Sequence, residues 1–253
     1  YGFDSVISTR VTPPALFRGL AGQEGAATVA TTATAAATTQ AVAVNIVRLS
    51  PVVLALLRSD EPDAGDLLQR ELIQCAVLAD EKINRKYFGD REPSPAECRK
   101  QVEFEVDGCA VIMSMAQLLG REKHEEALKC AREVLKKWWR APFSIEQRYR
   151  YYPNAKFIET VSAVEEARLI KEGCTHQLKR TIKPDIVLHV DFRFTLAALI
   201  FDFKFPCLES RKSKPGWTEY GPHSAYAGSN QGRVYQEALG GRAYLISPTG
   251  VHP

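Results

Sequence analysis

Cysteine, long apolar runs and a strong net charge are what this 253-residue chain has little of. Its six cysteines, at 75, 98, 109, 130, 174 and 207, form no CxxC pair and have no His at zinc-finger spacing. A zinc ribbon and a disulfide-dense scaffold are therefore excluded. Buried free thiols are the expectation, with a bond from Cys98 to Cys109 or Cys130 as the alternative. The closest approach to a membrane span is residues 26–47, uncharged but made largely of Ala and Thr, with no Leu. That composition predicts no stable span and no secretory signal. It reads as an Ala-rich helix or a linker; the alternative is a segment that docks on a carrier or helps the protein cross a membrane. Beginning at Tyr1 rather than Met, the chain reads as a processed piece.

What is present suits a folded protein of one or two domains. Apolar residues make up 45% and charged residues 25%, which excludes wholesale disorder and a polytopic membrane protein. The net charge is only +3, yet it is uneven: residues 141–253 carry 15 Lys+Arg against 11 Asp+Glu. A positive C-terminal part suits a polyanionic substrate.

Three regions follow. Residues 1–57 are irregular and then Ala/Thr-rich. Residues 58–142 predict a helical bundle. Apolar residues at three- and four-residue spacing give a helix over 64–88, broken at Gly89. Ser94-Pro95 with Glu97 caps a second over 95–106. A third runs over about 109–119 and a fourth over 122–139, stopped by Ala141-Pro142. His124, flanked by Lys123 and Glu125, reads as solvated. The chemistry lies in 143–253.

Phe157 to Glu172 reads as one helix ended by Gly173. Glu159 and Glu166 lie seven apart on it and share a small, apolar stripe; if buried they need a cation, and otherwise they reach solvent. His176 to Thr181 is a candidate edge strand. A β-rich run follows Lys183-Pro184-Asp185, and a longer one spans Leu196 to Phe205, with a hairpin connection over 191–195. The second strand is apolar enough to be central, yet carries Asp202 and Lys204 two apart on one face. Asp185, at the start of the neighbouring strand, is placed to meet Asp202. Two aspartates with a helix carboxylate make a hard-oxygen site for Mg²⁺ or Mn²⁺, which would activate water against a phosphoryl group. Lys204 would orient that water or neutralise developing charge.

Pro184-Asp185 and Asp202-Phe203-Lys204 together resemble the signature of the PD-(D/E)xK, restriction-endonuclease-like nuclease superfamily. Gln231-Gly-Arg-Val-Tyr235 is similar to the QxxxY motif of its RecB-like branch. The resemblance covers about 156–246 and implies an α+β chain: an N-terminal helical region, then a restriction-endonuclease-like αβββαβ domain. It implies a Mg²⁺- or Mn²⁺-dependent DNase with Asp185, Asp202, Lys204 and Glu166 or Glu159 as catalytic residues. The metal would sit on Asp185, Asp202 and Glu166. Gln231, Tyr235 and Arg233 would hold the strand. The Pro206–Asn230 stretch is longer than a compact core requires; its Arg211, Lys212, Lys214, Trp217, Tyr220 and Tyr226 suit contact with single strands, or a surface loop with ring anchors.

The layout is also similar to that of bacterial polymorphic toxins and type VI secretion effectors. This implies a DNase held in the producer's cytoplasm before export and active in the target cell's cytoplasm. Its partners would be DNA, a cognate immunity protein and a secretion carrier or chaperone. The alternatives are a housekeeping repair or recombination nuclease, and a non-catalytic binding module in which Asp202 and Lys204 are a structural ion pair.

Overall fold

The computed structural model describes residues 44–89, 91–106, 109–173, 175–207 and 215–253. The expected tail, and the Ala/Thr-rich stretch up to residue 43, lie outside them. The fold is mixed α+β, with six helices and three sheets among the described residues.

A short helix, α1 (Pro51–Leu54), leads into α2 (Ala64–Phe88), whose bounds follow the apolar spacing. The capping box at Ser94 forms as expected, but α3 is only Pro95–Arg99. The chain then pairs strands β1 (Gln101–Val106) and β2 (Cys109–Ser114), where helix was expected. The signal for strand is in the sequence: Val102, Phe104 and Val106 alternate with Glu103 and Glu105, and Asp107-Gly108 is a favoured hairpin dipeptide. A second capping box, Ser114 with Gln117, starts α4 (Met115–Trp138), which runs unbroken through Gly120. The predicted bundle is thus one long helix pair plus a hairpin.

The contacts along α2 and α4 run in opposite order, so the pair is antiparallel. Glu71 meets Lys137, Asp80 meets Lys123, and Lys86 meets Glu122. Leu68, Leu72 and Ala76 bury against Ala127, Ala131 and Leu135 between them. The Lys123–Asp80 pair is itself buried at 2.7 Å, where removal of one partner would strand a charge.

Free thiols are the expectation; the described residues form two disulfides instead. Cys75–Cys130 joins α2 to α4, with Cα atoms 5.5 Å apart. Cys98–Cys207 joins α3 to the segment after the central strand, with Cα atoms 6.3 Å apart. Partners separated by 55 and 109 residues leave no spacing signal.

After α4 come β3 (Phe143–Ile145) and β4 (Arg148–Tyr152). The helix expected over 157–172 is instead β5 (Phe157–Val161) followed by α5 (Ala163–Lys171). Ser162 separates them: its hydroxyl accepts from the Glu165 N–H and caps the helix. The expected edge strand is a 3-10 turn, Thr175–Leu178, and a two-residue strand, β6 (Thr181–Ile182). Strands β5, β4 and β6 form one small sheet in that order.

The principal sheet contains β7 (Ile186–His189), β8 (Ala197–Phe203), β9 (Arg242–Ser247) and β10 (Gly250–His252), in the order β10-β9-β8-β7-β3. β7 and β8 are the predicted hairpin pair. β8 and β9 are parallel, joined through α6 (Gln231–Leu239). Alternation along the strands divides the core. Leu188, Leu199, Phe201, Phe203 and Ile246 face α2 and α4. Val187, Ile200 and Ala243 pack with Val234, Tyr235 and Leu239 of α6 and with Tyr149 of the small sheet. Burial on both faces is why β8 reads as a continuous apolar run.

Candidate active site

The register that pairs Ile186 with Phe201 sets Asp185 opposite Asp202 at one end of the β7–β8 pair. Both are buried, at 7% and 2% exposure. The Phe203 N–H donates to Asp185 Oδ2 at 2.6 Å. Lys204 is anchored by its own N–H to the Ile246 carbonyl of β9, and its Nζ lies 2.6 Å from Asp202 Oδ2.

From Lys204 a directed chain of hydrogen bonds leads into α6 and back. Lys204 Nζ donates to Gln231 Oε1 at 3.1 Å, and the Gln231 amide donates to the Tyr235 hydroxyl at 2.7 Å. That hydroxyl donates to the Lys183 carbonyl at 3.2 Å, two residues before Asp185. Gln231 and Tyr235 thus lock both carboxylate-bearing segments to the helix. Asn230 caps α6 by accepting from the Arg233 N–H, and Gly240, at φ 81°, ends it in the left-handed region. Gly232 is required by close packing, because a Cβ there would stand 2.4 Å from the Trp217 ring.

One member was not expected. His124, read as solvated, projects from α4 so that its Nε2 lies 2.7 Å from Asp185 Oδ2. Its neighbours Lys123 and Glu125 hid this, since helical periodicity turns adjacent residues to different faces. Burial pulls the imidazole pKa down, but the hydrogen bond and charge of Asp185, with Glu146 and Asp202, outweigh it and raise the value. Burial first, and then the charge of Asp185, pushes the Asp202 carboxyl up to about 7 against the pull of Lys204. Tyr235 is raised well above its ordinary value by burial and by Asp202.

The helix carboxylates are placed differently from expectation. Glu159 is on strand β5 and its carboxylate takes Arg150 Nη1 at 2.6 Å. Glu166 is on α5, with Arg148 Nη2 at 2.9 Å and Lys183 Nζ at 3.4 Å. Burial alone would raise the Glu166 pKa; the hydrogen bond and charge of Arg148 lower it. Two cations thus occupy the carboxylate assigned to the metal. No group of three or more His, Cys, Asp or Glu suited to a metal ion is found among the described residues. The remaining donors, two aspartates on adjacent strands, still fit a hard cation such as Mg²⁺, which keeps several waters and takes one or two carboxylates plus phosphate oxygens.

Lys212, Lys214 and Arg211 lie outside the described residues. Arg233 is exposed on α6. The loop aromatics serve internal packing. Tyr226 is buried, donating to the Tyr151 carbonyl at 3.1 Å. Tyr220 meets it edge-on, and Trp217 meets Tyr235 likewise. No protein-family model, curated protein or solved structure matches this chain.

Proposed function

We propose that this chain is a metal-dependent nuclease hydrolysing DNA phosphodiester bonds at the Asp185–Asp202–Lys204 site. The observation that carries the reading is Lys204 Nζ, held between Asp202 and Gln231 beside a second buried aspartate. Two buried carboxylates beside a half-buried ammonium at a strand end are costly to keep for stability alone. Such a group suits a reaction in which negative charge builds on phosphate.

The residues divide the work as follows. Asp185 and Asp202 would hold Mg²⁺ or Mn²⁺, and His124 would orient Asp185 through its hydrogen bond. When bound, the ion supplies Lewis acidity toward a phosphoryl oxygen and a more acidic water. Lys204 orients the attacking water or neutralises the charge on the phosphate. Gln231 and Tyr235 fix the ammonium; Arg233, exposed on the same helix, is placed for backbone contact. The resemblance to the PD-(D/E)xK superfamily supports this reading. So does the order of helix 115–138, strands 143–145, 186–189 and 197–203, helix 231–239 and strand 242–247, with the small sheet and helix 163–171 inserted between the first two strands.

A plasmid assay in Mg²⁺ or EDTA, run beside an RNA substrate, tests it. The parent should nick DNA in Mg²⁺ only. Asp202→Ala and Lys204→Ala should lose on the order of 10³-fold. Parental rates in either variant would move the site elsewhere. If carboxylate-dependent Mg²⁺ or Mn²⁺ binding is also missing, the group is a structural ion pair in a binding module.

The two disulfides favour folding in an oxidising compartment. They support an exported antibacterial toxin, with an immunity protein in the producer, over a housekeeping repair enzyme. Expression in a bacterium without a partner gene separates the two: the toxin arrests growth, and the repair enzyme does not.

A further inference from the structure

We propose that a cavity at the far end of β4 is a subsite for one unpaired nucleobase and its phosphate. It draws its substrate class from the nuclease reading. The cavity measures about 280 Å³ and is lined by Tyr152, Pro153, Asn154, Ala155, Arg180 and Ala225. That volume takes one base and part of its sugar, and lies just under the range of drug-sized pockets.

Its chemistry is that of a stacking platform with a cation. Tyr152 alternates with Tyr151 along β4, so one ring enters the core while the other is left half-buried at the cavity. Phe157 lies beside the Tyr152 ring, with centroids 6.2 Å apart. The Arg180 guanidinium lies 5.9 Å from the Tyr152 centroid and has no carboxylate partner among the described residues. The lining holds no acidic side chain, while Asn154 offers an amide to a base edge. Aromatic faces with an Arg favour a planar ring carrying a phosphate over an aliphatic or acidic ligand.

Backbone conformation marks the same place. The described chain has three non-glycine residues in the left-handed region: Glu146, Lys156 and Arg180. Glu146 donates its N–H to the Asp185 carbonyl at the candidate active site. The other two flank this cavity, Lys156 directly after Ala155 and Arg180 in its wall. Glycine would hold those turns more cheaply, yet both positions carry a cation.

The cavity lining is braced by the core behind it. Ala225 precedes Tyr226, whose ring stacks on Tyr151 at 6.2 Å and meets Tyr220 at 5.1 Å.

Binding of the full chain to labelled oligothymidylate, and to the same strand with every base removed, tests the proposal in EDTA without turnover. The parent should prefer the base-bearing strand roughly tenfold. Tyr152→Ala should erase the preference and Tyr152→Phe should keep it. Ala225→Trp, which fills the cavity, should erase it by a route independent of Tyr152. Arg180→Ala should weaken both strands alike and flatten the salt slope by about 0.7. No preference in the parent, or a preference surviving both Tyr152→Ala and Ala225→Trp, overturns the subsite. Plasmid nicking by the parent in Mg²⁺ is read separately. Nicking without base preference sinks the subsite alone; base preference without nicking sinks the catalytic reading alone.

Discussion

His124 and Asp185 stand 61 positions apart in the chain and meet at 2.7 Å, the helix on one face of the sheet reaching the start of its second strand. The contact ties the helical half of the molecule to the carboxylate pair. His124→Ala leaves Asp185 without its imidazole partner, and cleavage should fall roughly 10- to 100-fold. Because Asp185 raises the His124 pKa above the ordinary imidazole value, the parent's pH–rate profile should carry an inflection that this variant loses. A variant cutting at the parental rate with an unchanged profile assigns His124 to packing.

Tyr235→Phe removes the hydroxyl that takes the Gln231 amide and gives to the Lys183 carbonyl. The fold should lose about 1 kcal/mol. Cleavage should fall roughly tenfold as Gln231 releases Lys204, with kcat affected and KM little changed. Glutamine 231 changed to Ala should do at least as much. Equal loss in KM would mean that the pair grips substrate rather than the ammonium.

In EDTA, stability should decline as pH rises. The Asp202 carboxyl lies at about 7 in the fold against an ordinary 3.8, so its contribution is whole below about pH 4 and is lost as pH climbs through about 7. His124, also raised, acts in the same direction. Asp202→Asn stays neutral throughout; its Tm should match the parent's near pH 4 and exceed it by roughly 5 °C at pH 8.5. Mg²⁺ must displace the same proton, so its affinity should strengthen between pH 6 and 8. A parent that gains stability over that range in EDTA contradicts the assignment.

Reduction should be costly. Closing 55 and 109 residues is worth about 4 kcal/mol per bond in the chain-entropy account. Dithiothreitol should lower Tm by on the order of 10 °C. Peptide mapping without reductant should recover Cys75 with Cys130 and Cys98 with Cys207. Free thiols at these four positions would remove the prediction.

The readable parts of the sequence were those set by short-range pattern. The apolar spacing of α2, the β7–β8 runs and the Gln231–Tyr235 spacing each depend on a few consecutive residues. The strand reading set Asp185 beside Asp202 and Lys204, and the resemblance to the PD-(D/E)xK superfamily implied Gln231 and Tyr235 near them. Three kinds of feature were hidden. Strand and helix joined at Ser162 look like one helix, because the Glu and Val residues on either side suit both states. Glu159 and Glu166 were therefore set on one face, when Arg150 and Arg148 hold them apart on different elements. The disulfides and His124 depend on which distant segments meet, and that is decided by packing of α2 on α4 and α4 on the sheet.

The bond between Cys98 and Cys207 closes a covalent ring whose circumference includes His124, Asp185, Asp202 and Lys204. A translocase that draws its cargo as a single thread cannot pass such a loop until the sulfurs are parted. A carrier that engulfs its cargo whole has no such requirement. Were the bridged protein exported, its route would be restricted to wide conduits, or to a thiol step before threading.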